Sequence, residues 1–224
     1  MKVLIACEES QTICKAFREL GHEAYSCDIL ECSGGHPEWH IKDDVLNHIN
    51  KDWDLIIAHP PCTFLSRAGC RWLFPKGKLN QERYKKGLQA KEFFMKFYNL
   101  NCKYIAIENP HPHKIFEMPK ESQIIQPYEY GHKVTKRTFL WLKGLPKLET
   151  TNIVEPKYYI DKKGIRHSIL SGWSSKRKSK TFEGIAIAMA KQWSCYIALQ
   201  ENKKQKEDGI PPTSKEVGIL PKII

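Results

Sequence analysis

The sequence predicts an α/β protein built on a mostly parallel central sheet with helices on both faces. Three observations predict it. Short apolar runs alternate with segments of helical periodicity through the first half of the chain. The runs are too short for helices and are bounded by polar or turn-forming residues. Each run ends in a polar or reactive cluster, as expected where parallel strands open onto a ligand crevice.

The elements follow in order. Residues 2–7 (KVLIAC) form an apolar run that Glu8 and Glu9 cut short, so they read as a first buried strand and not as a secretory signal. Residues 11–20 set Ile13, Ala16, Phe17 and Leu20 at helical spacing, and Gly21 stops the helix. Residues 24–27 make a second strand ending at Asp28, and residues 53–58 (WDLIIA) a third that runs into His59-Pro60-Pro61-Cys62. Residues 81–98 form a long amphipathic helix, and residues 104–107 a further strand ending at Glu108-Asn109-Pro110. Strands separated by helices require crossovers and hence parallel pairing.

Beyond residue 120 the order weakens. Residues 139–142 (FLWL) read as a strand, and residues 183–199 as an amphipathic helix carrying Ile185, Ala188, Met189 and Trp193. Residues 144–180 are rich in Lys, Gly, Pro and Ser, with little periodicity. Residues 201–224 are polar and read as a flexible tail. The expected organisation is one domain over residues 1–200, with a basic insert at 144–180.

Composition bounds the function. No run of ~18 apolar residues exists, which excludes a membrane-spanning helix. Eight scattered cysteines in a chain without an export signal read as reduced thiols in a cytoplasm. Residues 1–75 hold 7 Lys/Arg and 11 Asp/Glu, a net of 7 − 11 = −4, and residues 76–224 hold 29 and 14, a net of 29 − 14 = +15. The split suggests two ligand surfaces, the basic one suited to nucleic acid or to solvent alone.

Two strand ends carry the chemistry. Cys62 follows two prolines directly after a buried strand, so a stiff turn holds the thiol at the crevice. His59 and Arg67 or Arg71 are expected to lower its pKa, since the thiolate is the reactive form. Alone, such a cysteine is more readily structural than catalytic. Glu108 also ends an apolar strand, where a carboxylate is costly unless solvated or used.

Together, the strand-end Pro61-Cys62 and the strand-end Glu108-Asn109 resemble the cytosine-C5 DNA methyltransferase family, over most of residues 3–193. The chain looks most like small phage- or prophage-type members without a full target-recognition domain. The resemblance implies a Rossmann-like S-adenosylmethionine-dependent methyltransferase fold, with Cys62 as nucleophile and Glu108 contacting the base. It implies that Cys7, Glu8, Glu9, Ser10, Asp28, Ile29, Asp44, Val45 and Pro60 bind S-adenosylmethionine, with Asp28 on the ribose and Asp44 on the adenine amine. Lys136-Arg137-Thr138 is similar in part to the family's arginine-rich segment, which makes Arg137 a candidate for the flipped nucleotide. DNA, duplex or single-stranded, is the implied partner of a monomer in a bacterial or phage-infected cell. Ser66, Arg67, Arg71, Lys136, Trp173, Lys176, Arg177 and Lys178 are its candidate contacts.

The chain departs from the family in three places. Pro110 stands where the family has valine, and the loop Cys7-Glu8-Glu9-Ser10 lacks the family's glycines. About forty residues are available for target recognition, near the lower limit for a self-standing domain. Cys27, Cys32, His36 and His40 lie close in sequence without paired zinc-ligand spacing, so no metal is expected. Three alternatives stay open: methylation of an exocyclic amine, a non-catalytic nucleic-acid-binding protein, and a C5-modifying enzyme acting on RNA or nucleotides.

Overall fold

The computed structural model describes residues 1–207. Its central sheet contains β1 (Lys2–Ala6), β2 (Glu23–Asp28), β3 (His40–Lys42), β4 (Leu55–Ala58), β5 (Tyr104–Pro110), β6 (Gln123–Ile125) and β7 (Thr138–Lys143). The strand order is β3-β2-β1-β4-β5-β7-β6. The first five strands pair in parallel, and β7 runs antiparallel to both its neighbours. β3 and β6 have three residues each, too few to show a period.

Strand alternation divides the core into two layers. Val3, Ile5, Leu55, Ile57 and Ala106 face one side, with Ile13 and Phe17 of α1 (Thr12–Glu19) and Met189 and Trp193 of α5 (Glu183–Glu207). Leu4, Ala6, Ile56, Ala58, Ile105 and Ile107 face the other, with Phe94 and Phe97 of α3 (Gln81–Tyr98). Helices therefore cover both faces, and the short α2 (Cys70–Leu73) precedes α3. Burial on both faces is why β1 and β4 read as unbroken apolar runs.

One expectation needs correction. Residues 201–207 are not tail: α5 continues through Glu207. They are polar but, Asn202 apart, consist of strong helix formers, Lys, Gln and Glu, which prolong a helix already anchored by packing. The rest of the expected tail lies outside the described residues. Within 144–180 the chain forms a hairpin of β8 (Tyr158–Ile160) and β9 (Arg166–Ser168), followed by α4 (Ser175–Ser179). Its strands are too short for legible alternation. The Asp161 carboxylate organises the turn, accepting from the Lys163 and Ile165 amides and pairing with His167.

The direction of the chain's crossing places the crevice. From β1 the chain moves outward to β2 and β3, then crosses back to β4 and on to β5. Strand order reverses between β1 and β4, and sheets of this kind bind ligands beyond the carboxyl ends at such a point. No helix among the described residues is long and apolar enough to cross a membrane.

Candidate active site

The thiol loop is fixed by hydrogen bonds around its prolines. The His59 amide donates to the Ala6 carbonyl at 2.9 Å, locking the end of β4 to β1. Pro60 is buried, and its carbonyl accepts from Asn109 Nδ2 at 2.8 Å. Cys62 is half-buried, and its carbonyl accepts from the amides of Leu65 and Ser66. The loop then joins the chain leaving β5: the Arg67 amide donates to His111 O at 2.8 Å, and the His113 amide to Leu65 O at 2.7 Å. These bonds hold Cys62 and Glu108 to one edge.

Glu108 is nearly buried, with 16% of its side chain exposed, and pairs with His59 Nδ1 at 3.2 Å. Burial alone would push its carboxyl up. The His59 hydrogen bond and the charges of Lys136 and His59 together outweigh burial and hold it below the usual value of 4.5. Glu108 is thus ionised at neutral pH. His59 Nε2 is buried and has no partner.

The expected activation of the thiol is not what the geometry provides. Burial and the Glu108 charge push Cys62 above its ordinary 9.0, and Lys136 offsets them in part. His59 is turned to Glu108. Arg67 and Arg71 are exposed, and Arg71 lies over the Trp72 ring at 4.9 Å. The site holds a protonated thiol beside an ionised carboxylate, so the proton must leave as the reaction begins.

β7 brings a cation to the same edge because it is antiparallel, pairing Thr138 with Pro110 and Phe139 with Asn109. Lys136 acts electrostatically on both Glu108 and Cys62, and its ammonium donates to Lys178 O at 3.0 Å. Arg137 is exposed and lies over Phe139 at 5.6 Å. Of the two, Lys136 is the cation that acts on the thiol and the carboxylate. Lys136 lies two residues before β7 begins, where strand alternation gives no signal, so the sequence offers only its place in the Lys136-Arg137-Thr138 segment.

The first loop solves its missing-glycine problem in another way. Cys7 (φ 60°) and Gln11 (φ 55°) occupy the left-handed region that glycine usually takes. Such strain costs on the order of 1–3 kcal/mol per residue. The Gln11 side chain offsets part of it by bonding both the amide and the carbonyl of His36. Gly34 lies so close to Gln11 and the Ser10 carbonyl that any side chain there would overlap them, so it serves close packing.

The two acids of the loop separate in role. Buried Glu8 accepts from the amides of Ile13 and Cys14 at 2.8 and 3.3 Å and caps α1, so it is committed to the fold. Glu9 Oε2 is buried without a partner. Ser10 Oγ bonds Thr12. Asp28 accepts from the Leu30 amide, beside Ile29 (71% exposed) and Leu30 (59% exposed). Asp44 caps the short turn at Val45–Asn47. Val45 is 3% exposed and packs in the core, where it cannot line a crevice. Burial and then the charges of Asp28, Cys27 and Asp44 drive the Cys7 thiol far above its usual range, which places both aspartates in the field of one loop residue. Beyond β1 and β2 the crevice is therefore rich in acceptors.

Neither a protein-family model nor a curated protein matches the chain.

Residues of the basic insert border the edge. The Arg177 guanidinium stacks over Trp173 at 3.7 Å, and Trp173 leans on Phe182. Lys176 and Arg177 are exposed, whereas Lys178 donates to Ser171 O. Lys180 reaches Ser33 Oγ at 3.0 Å, so this segment runs from the Lys136 side of the crevice to the loop after β2. Among the described residues, no group of three or more His, Cys, Asp or Glu side chains is disposed to hold a metal ion. His36 instead stacks on Trp39, and Cys27 Sγ donates to Asp43 O.

Proposed function

We propose that the protein is an S-adenosylmethionine-dependent methyltransferase acting at C5 of cytosine in DNA. The observation that carries the reading is the meeting of Cys62 and ionised Glu108 at one strand edge, with Lys136 beside both. The fold is compatible with it: a mostly parallel sheet with helices on both faces is the arrangement that the methyltransferase resemblance implies.

The donor set of the crevice suits the cofactor. Asp28 would accept from ribose hydroxyls, Asp44 from the adenine amine, and the unpartnered Glu9 Oε2 from the ammonium group. Exposed Ile29 would cover an apolar ring face. When bound, S-adenosylmethionine supplies an electrophilic methyl group.

Cytosine C5 is too weak a nucleophile to take that group unaided. As the Cys62 sulfur bonds to C6, the thiol proton passes to Glu108, which presents it to N3. The C5–C6 double bond is lost, and C5 becomes enamine-like. Glu108 accepts from the exocyclic amine and stabilises the charge that develops on the ring. Once C5 has taken the methyl group, loss of the C5 proton to water and rupture of the C6–S bond restore aromaticity, and the proton on N3 returns through Glu108 to the Cys62 sulfur. The base must leave the stack first, at a cost of a few kcal/mol.

The test is a mechanism trap. DNA containing 5-fluorocytosine, incubated with the protein and S-adenosylmethionine, should give a persistent adduct mapping to Cys62, because fluorine cannot leave as a cation. Absence of adduct on every duplex and single strand tried would overturn the reading.

A further inference from the structure

An open cleft lies beside the thiol loop, between that loop and the start of α3. Thr63, Phe64, Trp72, Arg83 and Lys86 are among the residues that line it. Thr63 is the residue after Cys62, and its carbonyl accepts from Arg83 Nη2 at 2.9 Å. Trp72 is 58% exposed, an uncommon state for so large an aromatic side chain. Cations and rings alternate along the cleft. Arg83 lies over Phe64 at 4.9 Å, Lys86 lies 6.0 Å from the same ring, and Arg71 lies over Trp72 at 4.9 Å. The carboxylate in the lining, Glu82, is engaged by Lys86 at 2.8 Å.

We infer that this cleft is a subsite for the single-stranded nucleic acid flanking the target base, with Trp72 stacking on a neighbouring base and Arg83 and Lys86 meeting its phosphates. The inference rests on the reading that Cys62 acts on a base. Aromatic faces interleaved with cations are what an unpaired strand needs, because its bases present open π-faces and its backbone is anionic. A duplex offers Trp72 no such face, since its bases are stacked on both sides. Thr63, the residue after Cys62, lines the cleft, so a strand lying in it runs beside the thiol loop.

The test is equilibrium binding of the full chain, without cofactor, to a fluorescein-labelled dodecathymidylate, to the matching oligouridylate, and to the dodecathymidylate annealed to its complement. Trp72→Ala should weaken single-strand binding by about five-fold or more, and Trp72→Phe should restore most of it. Lys86→Gln should lower the slope of log affinity against log salt by about 0.7. Equal Trp72 dependence for the deoxy- and ribo-oligomers would show that stacking and phosphate are read without the sugar. Dependence confined to one of them would assign the polymer. Wild-type single-strand affinity in Trp72→Ala overturns the subsite, as does equal competition by inorganic polyphosphate, which carries charge without bases. The outcome separates from that of the catalytic reading. Trp72-dependent binding with no fluorocytosine adduct leaves the subsite and removes the chemistry, whereas adduct with Trp72-independent binding does the reverse.

Discussion

Glu108→Gln should abolish a preference for cytosine over uracil. Glu108 is held ionised by His59 and Lys136 in a site where 16% of its side chain is exposed. One carboxylate oxygen receives His59 at 3.2 Å, and the other is free to accept from the base. Cytosine offers an amine there, and uracil offers a carbonyl, so uracil would set two acceptors against each other. An unmatched buried polar contact costs about 1–3 kcal/mol, more when one partner is charged, so a preference on the order of 10²-fold is expected. Gln has nearly the same shape, but with its oxygen turned to accept from His59 it presents its NH2 to the base, which suits uracil's carbonyl and no longer cytosine's amine. The ratio should fall below about ten-fold, with cytosine itself reacting on the order of 10²-fold more slowly. The assay is the rate of covalent adduct formation on oligonucleotides carrying one 5-fluorocytosine or one 5-fluorouracil, read on denaturing gels. A wild-type ratio near one, or an unchanged ratio in Glu108→Gln, would refute the assignment of Glu108 to the base.

Three further outcomes follow from the same geometry. Because burial and Glu108 raise Cys62 above 9.0, iodoacetamide should label it slowly at neutral pH and faster as pH rises past 9.0. Glu108→Gln should move that profile to lower pH, as mass spectrometry of the labelled peptide would show. A Cβ on Gly87 in α3 would overlap the Phe116 ring and come within 3.2 Å of Phe64 O, so Gly87→Ala should cost about 1–3 kcal/mol in urea denaturation. Unchanged stability would mean that the thiol loop does not dock on α3. Glu8→Ala leaves the buried amides of Ile13 and Cys14 without acceptors and should cost upwards of about 2 kcal/mol, with Glu8→Gln losing less. A neutral Glu8→Ala that weakened cofactor binding would reverse the roles given to Glu8 and Glu9.

The legible part of this protein was the part whose signal is periodic or buried. β1, β4 and β5 could be read because they are unbroken apolar runs buried on both faces, and α1 and α3 because their apolar positions repeat over enough residues to define a face. Cys62 and Glu108 were legible because each directly follows such an element. Illegible features had two causes. Three-residue strands such as β3, β6, β8 and β9 carry too few positions for a period. Side-chain partnerships across the sheet leave no local trace: the His59–Glu108 pair spans 49 positions, and nothing near His59 announces it. The first loop misled for a third reason. Glycine is the usual route to the left-handed conformation, but Cys7 and Gln11 reach it with side chains, supported by tertiary contacts far along the chain.

The uneven charge of the sequence acquires a location in the fold. The acidic first third supplies Glu9, Asp28 and Asp44 around the ends of β1, β2 and β3, while Lys136, Lys176, Arg177, Arg83 and Lys86 come from the basic remainder. The thiol loop belongs to the first part and Glu108 to the second, so the candidate site forms where the two meet. On the proposed reading, a cationic cofactor and a polyanionic substrate are drawn to opposite sides of Cys62. That division also accounts for the protonation pattern. A thiolate formed in advance would add negative charge next to Glu108 in a poorly solvated site, which costs free energy. Keeping the proton on Cys62 until a base arrives to receive it through Glu108 avoids that repulsion. Reactivity would then depend on occupancy by the base, and Cys62 would be a slow nucleophile toward every other electrophile.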